Sequence, residues 1–305
     1  MKNWRSLIFN LVYFRNRSQY DNDLASLRNS ILSLPSEIRK MFSDECTFIE
    51  NIPLDQLPSI VFPYPIAVDN HHANKIESGM ESGFPYVIHT NGTRLFLKRG
   101  LTCNEAVEYY KYLVEREGLL GTGILAKSPH CYQDNDFKVE DGDILLDVGC
   151  AEAIFAIDCI YKVSKAYLFE YLHNWHRPLE RTFAPYKDKC KLIKKLVDNK
   201  TNRKSTKLID AIDPNLVKTS HFFVKMDIEG CEKNVIKGNT DFFKSANVKL
   251  SCCTYHRQDD AQTIEKLLTD MGYKTRFSKG YMLPYQLNGI HYPYFRHGVI
   301  YAQNY

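Results

Sequence analysis

A short apolar run followed at once by small residues constrains the fold of this chain more than any other feature. The run 144–146 ends at Asp147, and a second apolar run follows at 154–157. Three small residues occupy the turn between them, namely Gly149, Ala151 and Ala153. This order predicts a buried strand, a tight turn and the start of a helix. In an open α/β sheet such a turn lies at the carboxyl ends of the strands, where ligands bind.

Strand and helix patterns alternate from this point to the end of the chain. We predict strands at 144–148, 166–170, 191–197, 222–226, 248–254, 273–277 and 299–302. Helices are predicted after the first strand to about residue 162, and at about 174–184, 231–244 and 259–271. Alternation of this kind predicts an α/β fold with a doubly wound, mostly parallel sheet.

The first part of the chain has a different organisation. Helical patterns dominate residues 1–60, and an irregular, proline-rich stretch follows them. Strand-like runs on both sides of Asn91-Gly92 predict a hairpin, and Thr102 with Glu105 predicts a capping box that opens a helix. We therefore divide the chain into three parts: a mainly helical N-terminal extension (1–85), a hairpin and helix that cover the candidate site (86–140) and the sheet domain (141–305).

Composition excludes some classes of function. The 305 residues are 44% hydrophobic, which is enough for a full-sized core. The net charge of +4 comes from 40 basic and 36 acidic residues without a basic tract, so no nucleic-acid partner is indicated. The nine cysteines include no Cys-x-x-Cys pair, which predicts reduced core residues, a cytoplasmic location and no zinc site.

The N-terminal segment carries apolar residues at helical spacing. They are Trp4, Leu7, Ile8 and Leu11, and the run is too short to span a membrane. Two interpretations stay open. The helix packs on the domain or on a second subunit of a homodimer, or it lies on a membrane surface with a rim of basic residues.

Two nucleotide ligands compete for the turn after the first strand. A dinucleotide site requires Gly-x-Gly-x-x-Gly, and here Ala151 and Ile154 stand in the second and third glycine places. Asp147 suits a different ligand, because a carboxylate at this point pairs with the ammonium group of an amino-acid tail. S-adenosylmethionine has both an adenosine and such a tail. A purely structural turn is the third alternative.

Acidic residues and one histidine follow the later strands. Glu170 stands 23 residues after Asp147 (170 − 147), the position of an acid that binds ribose hydroxyls. Asp198 is a candidate acceptor for an adenine amino group. Asp227 and Glu229, at i and i+2 after the fourth strand, suit a hydroxyl substrate, a metal or a role as base. His256 titrates near neutrality and is the best candidate for a general base.

These blocks, in this order, resemble the FkbM family of S-adenosylmethionine-dependent methyltransferases. The matching blocks are 142–149, 168–170, 225–232 and 254–256, with further similarity at 128–132, 206–210 and 296–299. Asp-Ile-Glu-Gly at 227–230 is the most specific of them. The resemblance covers roughly 120–302, and residues 1–85 have no equivalent in it.

The resemblance implies a class I methyltransferase fold, a Rossmann-like sheet of seven mostly parallel strands with an antiparallel last strand. It implies methyl transfer from S-adenosyl-L-methionine to a hydroxyl of a sugar or another small molecule. By matching position, the cofactor-binding residues are Asp147, Gly149, Ala151, Glu152, Glu170, Asp198 and Asp227. The acceptor pocket is expected to contain His256 as base, oriented by Asp227 or Glu229, with His130 as the next candidate. No metal is expected, and a metal held by Asp227, Glu229 and His256 is the alternative.

One departure from the family pattern concerns the turn. The family usually has glycine where this chain has Ala153. If that position needs a positive φ or close approach of the cofactor, alanine weakens cofactor binding. A catalytically weak, methyltransferase-like scaffold that binds a partner is therefore the second function class. A nicotinamide dehydrogenase is disfavoured by the missing glycines.

Overall fold

The computed structural model describes residues 17–53, 61–65, 76–117, 127–285 and 290–305. The predicted N-terminal helix with Trp4, Leu7, Ile8 and Leu11 lies outside these residues. The chain divides into two compact units, one from 1–65 and 281–295 and the other from 66–280 and 296–305.

The first unit is mainly helical. It contains α1 (Arg17–Leu32), α2 (Ser36–Met41) and α3 (Ser43–Asn51), with Pro35 between the first two. Its core includes Ile31, Ile49, Leu283 and Phe295, so Leu283 and Phe295 from the last part of the chain pack on these helices. The backbone N–H of Leu283 donates to the carbonyl of Val61 at 2.9 Å. The sequence patterns had not indicated this return of the chain.

The second unit begins with a small antiparallel sheet. Its strands are β1 (Ser78–Glu81), β2 (Phe84–Ile88) and β3 (Arg94–Phe96), and α4 (Cys103–Glu117) follows. The predicted hairpin at Asn91-Gly92 joins β2 and β3, with φ of 84° at Gly92. The predicted capping box is present, because the Thr102 N–H donates to Glu105 Oε2 at 2.8 Å and the Glu105 N–H donates to Thr102 Oγ1 at 3.2 Å.

The remaining strands and helices alternate along the chain. The strands are β4 (Ile144–Val148), β5 (Lys165–Phe169), β6 (Cys190–Ile193), β7 (Leu196–Val197), β8 (Ser205–Thr206), β9 (His221–Met226), β10 (Asn247–Cys253), β11 (Lys274–Phe277), β12 (Tyr281–Met282), β13 (Arg296–His297) and β14 (Val299–Gln303). The helices are α5 (Ile154–Asp158), α6 (His173–Thr182), α7 (Leu208–Ala211), α8 (Pro214–Val217), α9 (Glu232–Gly238), α10 (Thr240–Ser245) and α11 (Asp260–Asp270). A short 3₁₀ turn covers Ala184–Tyr186.

Seven of these strands form one sheet in the order β11-β14-β10-β9-β4-β5-β6. Neighbouring strands from β10 to β6 are parallel, whereas β14 is antiparallel to both β10 and β11. Side chains alternate between two cores, so that Leu145 packs on one face and Leu146 on the other. The predicted α/β fold with a seven-stranded, mostly parallel sheet is confirmed.

Three predicted boundaries were wrong. The predicted strand 191–197 splits, because Leu196 and Asp198 hydrogen-bond to Lys204 and Thr206 instead of continuing the large sheet. The predicted helix 231–244 breaks at Asn239, whose side chain accepts the N–H of Leu208 and donates to the carbonyl of Asp198. The helix expected to reach about residue 162 ends at Asp158.

Within the part of the chain that the structure describes, no helix combines the length and the apolar character needed to cross a membrane.

Candidate active site

The carboxyl ends of parallel strands bring the predicted site residues to one edge of the sheet. Asp147 lies in β4, Glu170 follows β5, Asp227 follows β9, and His256 comes shortly after β10. Because β5, β4, β9 and β10 are adjacent and parallel, their carboxyl ends meet at the same edge. Residues far apart in the chain therefore meet at the edge where the sequence predicted the site.

Gly149 brings the turn into direct contact with the residue that follows β9. Its φ is 76°, and a Cβ at this position would lie 2.1 Å from the backbone oxygen of Asp227. The Asp227 N–H donates to the carbonyl of Val148 at 3.1 Å. Glycine is thus required here by contact between two backbone segments of the protein itself. This contact places the turn beside Asp227.

The two alanines of the turn both adopt the left-handed conformation. Ala151 has φ of 49°, and Ala153, which precedes α5, has φ of 60° and ψ of 38°. This conformation crowds the Cβ of an L-residue and costs about 1–2 kcal/mol. The position that the family usually fills with glycine therefore does need a positive φ. The alanines therefore strain the turn.

We expect Ala153→Gly to raise the free energy of unfolding by about 0.5–1 kcal/mol, because relief of strain exceeds the entropy that glycine adds to the unfolded chain. Urea unfolding followed by circular dichroism measures this change. Ala156→Gly is a matched control, since Ala156 is equally buried but lies inside α5. Glycine there should destabilise by about 0.5–1 kcal/mol. Destabilisation by Ala153→Gly would contradict the strain argument.

Glu170 connects the turn to the end of β5 by hydrogen bonds. Its Oε2 accepts the N–H of Ala151 at 2.9 Å, and its Oε1 accepts the N–H of Leu172 at 2.6 Å. Each carboxylate oxygen can accept a second hydrogen bond, so the group remains capable of accepting ribose hydroxyls. Glu152 is also buried in this turn, and its Oε2 accepts the hydroxyl of Tyr109 on α4 at 3.1 Å.

Asp198 occupies a different place from the predicted one. It follows β7, which pairs with β8 outside the seven-stranded sheet. Its Oδ1 accepts the N–H of Asn199 at 2.7 Å. Asp198 therefore does not stand at the end of a strand of the large sheet, and its adenine contact remains a prediction.

Asp147 forms an ion pair with a lysine that the sequence reasoning missed. The Asp147 side chain is 0% exposed, and its Oδ1 lies 3.1 Å from Nζ of Lys225, whose side chain is 3% exposed. The Lys225 ammonium also donates to the carbonyl of Gly149 at 2.9 Å and lies over the ring of Tyr132. One feature of the sequence marks this residue, which is a charge inside the apolar run of β9. The structure then makes it the register partner of Asp147.

Asp227 lies in a buried network of polar side chains. Its Oδ2 accepts the hydroxyl of Tyr132 at 2.9 Å, and that hydroxyl lies 3.1 Å from Nε2 of His130. His130 Nε2 is also 3.4 Å from Sγ of Cys253 and 3.9 Å from Oδ2 of Asp227. The structure thus brings His130 and Asp227 together, as predicted for a shared site. Tyr132 is the link between them, and its role had not been predicted.

His256 is surrounded by three carboxylates. Its Nε2 lies 3.5 Å from Asp227 Oδ1 and 3.5 Å from Glu229 Oε2, and its Nδ1 lies 3.1 Å from Glu232 Oε1. Burial disfavours the charged ring, but the carboxylates of Glu232, Asp227 and Glu229 outweigh this effect and raise the pKa of His256 to about 9. His256 is therefore an imidazolium at neutral pH. The predicted neighbours Asp227 and Glu229 are present, and Glu232 was missed.

Among the residues that the structure describes, two groups of side chains have the composition of a metal site. Asp227, Glu229 and His256 form one group and His130, Asp227 and Cys253 the other, each with ligand atoms within 4.8 Å of one another. In the first group the proton on His256 competes with any metal, because only a neutral imidazole coordinates. In the second group burial raises the pKa of the Cys253 thiol well above its ordinary value, which also opposes coordination.

The topology and the site together define a class of protein. A seven-stranded sheet with one antiparallel strand, and acidic residues at the carboxyl edge beside a small-residue turn, define a Rossmann-like, class I methyltransferase fold. Residues 147–275 match the family model described as methyltransferase FkbM domain. The predicted resemblance to the FkbM methyltransferase family is therefore confirmed over this segment.

Solved structures resemble the chain only distantly. The methyltransferase FkbM from Methylobacillus flagellatus KT is 20% identical, with a TM-score of 0.42, and the match covers 54% of this chain and 44% of that one. A precorrin-6y C5,15-methyltransferase from Geobacter metallireducens GS-15 is 10% identical, with a TM-score of 0.36 and coverage of 55% and 82%. The present chain thus spans less than half of the Methylobacillus protein. No curated protein matches it in sequence.

Proposed function

We propose that this protein is an S-adenosyl-L-methionine-dependent O-methyltransferase that acts on a hydroxyl of a sugar or another small molecule. One observation carries the proposal: the close backbone contact between Gly149 and Asp227. Through this contact the turn expected to hold the cofactor adjoins the network of Asp227 and His256. Methyl transfer requires this adjacency, because donor and acceptor must be aligned within a few ångströms.

The side chains at the edge of the sheet fit the chemistry of the cofactor in part. The Glu170 carboxylate, which accepts the N–H groups of Ala151 and Leu172 at the end of β5, suits the ribose hydroxyls as an acceptor. Asp147 is already neutralised by Lys225, so we assign the ammonium of the amino-acid tail to the buried carboxylate of Glu152 instead. S-adenosylmethionine, when bound, supplies an electrophilic methyl group. The protein then has to orient the acceptor hydroxyl and remove its proton.

His256 is the residue that we assign to proton removal. Only the neutral ring can accept a proton, and with a pKa of about 9 roughly 1% of the molecules have a neutral ring at pH 7. The rate should therefore rise about tenfold per pH unit from neutrality and level off near pH 9. Asp227 and Glu229 face the same nitrogen, so they lie where an acceptor hydroxyl would be oriented.

Calorimetric titration of S-adenosylhomocysteine into the protein tests the cofactor assignment. We expect micromolar binding, about −8 kcal/mol. Glu170→Ala should weaken it tenfold or more, because charge-assisted hydrogen bonds contribute about 1.5–3 kcal/mol. Glu170→Gln keeps one acceptor oxygen, so its affinity for S-adenosylhomocysteine should lie between those of the parent protein and Glu170→Ala. Glu180→Ala is the control, since Glu180 lies on α6 and pairs with Lys194 at the surface.

A non-catalytic scaffold is the second candidate function. The strained alanines of the turn and the Asp147–Lys225 ion pair favour it, because both reduce the affinity expected for the cofactor. No binding of S-adenosylhomocysteine at millimolar concentration would contradict the enzyme proposal and favour the scaffold. Asp147→Ala does not discriminate between them, since it would leave the Lys225 ammonium buried without its counter-ion.

A further inference from the structure

Glu232 is a buried carboxylate that joins two parts of the site. It is the first residue of α9, and only 1% of its surface is exposed. Its Oε1 accepts the N–H of Ile228 at 2.9 Å and lies 3.1 Å from Nδ1 of His256. The backbone donor holds the carboxylate against the loop that follows β9. The same oxygen therefore connects this loop to the imidazole.

The position of Glu232 determines which nitrogen of His256 faces the candidate acceptor pocket. With Nδ1 directed at Glu232, Nε2 is directed at Asp227 and Glu229. A carboxylate within hydrogen-bond distance of a ring nitrogen keeps the proton on that nitrogen. Glu232 lies 3.1 Å from Nδ1, whereas Asp227 and Glu229 lie 3.5 Å from Nε2, so Nε2 is left as the nitrogen that exchanges its proton. Glu229 is the exposed member of the pair, with 47% of its side chain accessible. The exchanging nitrogen thus lies on the side of the ring that faces Glu229.

Other charged and titratable groups face the ring or its backbone from every adjoining segment. The loop after β9 contributes Asp227 and Glu229, and α9 contributes Glu232. The ring of Tyr255 lies against the imidazole with 4.2 Å between centroids and an interplanar angle of 34°. Arg296 of β13 donates to the backbone carbonyl of His256 at 3.1 Å. Arg257 lies against Gly230 near the same loop, and Asp260 of α11 accepts the N–H of Arg257. Of these groups, only Glu232 contacts Nδ1.

We propose that Glu232 is a positioning residue for the methyl transfer, which holds the proton on Nδ1 of His256 so that Nε2 takes the proton of the acceptor hydroxyl. This inference rests on the proposed function for its chemical meaning. The orientation of the ring can nevertheless be measured without cofactor, acceptor or turnover.

Nitrogen-15 NMR of histidine-labelled protein tests this proposal directly. In the parent protein, the signals of His256, assigned by their loss in His256→Ala, should show an imidazolium at neutral pH and the Nδ1–H tautomer above its pKa. Glu232→Gln should lower the pKa of His256 by about 1 unit or more, because one of three carboxylates becomes neutral. Glu232→Asp keeps the charge, so the pKa of His256 in this variant should stay close to its value in the parent protein.

Glu45→Gln is the matched control for general damage. Glu45 is equally buried, accepts the hydroxyl of Tyr64 and belongs to the other unit of the chain. It should alter stability without altering the pKa or the tautomer of His256. A pKa and tautomer of His256 unchanged in Glu232→Gln would overturn the inference, and so would an Nε2–H tautomer in the parent protein.

The two proposals fail in different experiments. Absence of S-adenosylhomocysteine binding would overturn the proposed function, whereas an unchanged NMR titration would overturn the role of Glu232. Once an acceptor is found, Glu232→Gln should lower the plateau value of kcat, reached above the pKa of His256, about tenfold or more with little change in KM, and move the rise of the rate to lower pH. A residue with only a structural role would leave that pH profile in place.

Discussion

Replacement of His256 by alanine is expected to lower the rate of methyl transfer by about 10²–10⁴-fold, the usual contribution of a general base to reactions of this kind. The reason lies in the acceptor, since a hydroxyl is a poor nucleophile until its proton is removed. Binding of S-adenosylhomocysteine should be unchanged, because our assignment places the cofactor on Glu170, Glu152 and the turn at Gly149. Transfer of labelled methyl from S-adenosylmethionine to a panel of sugars and small alcohols measures the rate.

His89→Ala is a matched control for this substitution. His89 is also buried, and its Nδ1 lies 2.9 Å from the hydroxyl of Tyr110. Both residues are distant in the sequence from the acidic residues around His256. It should affect stability without the large loss of rate. An equal loss of rate in both variants would show that the effect of His256→Ala reports damage to the fold. A His256→Ala variant with the full rate would show that the imidazole takes no part in proton removal.

Lys225→Met is expected to lower the free energy of unfolding by about 3–5 kcal/mol, because it leaves the Asp147 carboxylate buried without its counter-charge. Both side chains are almost completely buried, at 3% exposed for Lys225 and 0% for Asp147, so solvent cannot compensate. Urea unfolding at pH 7, monitored by circular dichroism and fluorescence, measures the change.

The double variant Lys225→Met/Asp147→Leu separates charge from packing. Replacing a buried ion pair by apolar residues of similar size is often neutral or stabilising, so the double variant should recover most of the loss. The surface pair Lys266–Asp270, at 2.8 Å on α11, provides the control, and its removal should cost less than about 1 kcal/mol. Additive losses in the two single variants would mean that Asp147 and Lys225 do not interact.

The sheet could be predicted from the sequence because its strands are apolar runs that are separated by turn residues. The same patterns placed Asp227 and His256 correctly, since a residue after a parallel strand must lie at the carboxyl edge. Asp198 was misplaced because the hydrogen bonds of Leu196 lead to another segment, and periodicity does not reveal the partner of a strand. The break of the predicted helix 231–244 at Asn239 was missed for the same reason, because the Asn239 side chain forms hydrogen bonds with residues distant in the chain.

The missed site residues share one property. Lys225, Tyr132 and Glu232 act through partners that are close in space but not in the sequence. A lysine inside an apolar strand was the one visible signal, since a buried charge requires a counter-charge. Glu232 stands five residues after Asp227 within the motif that identified the family, yet the motif does not show which of its acids faces the histidine.

The sequence by itself determined the α/β class, the seven strands, the FkbM relationship and the edge at which the site lies. These follow from local periodicity and from the rule that parallel strands share one carboxyl edge. Only the tertiary structure decided that Asp147 is neutralised by Lys225 and that three carboxylates surround His256 and raise its pKa to about 9. Charge interactions depend on distance and burial, and these are set by the packing of segments that the sequence keeps apart.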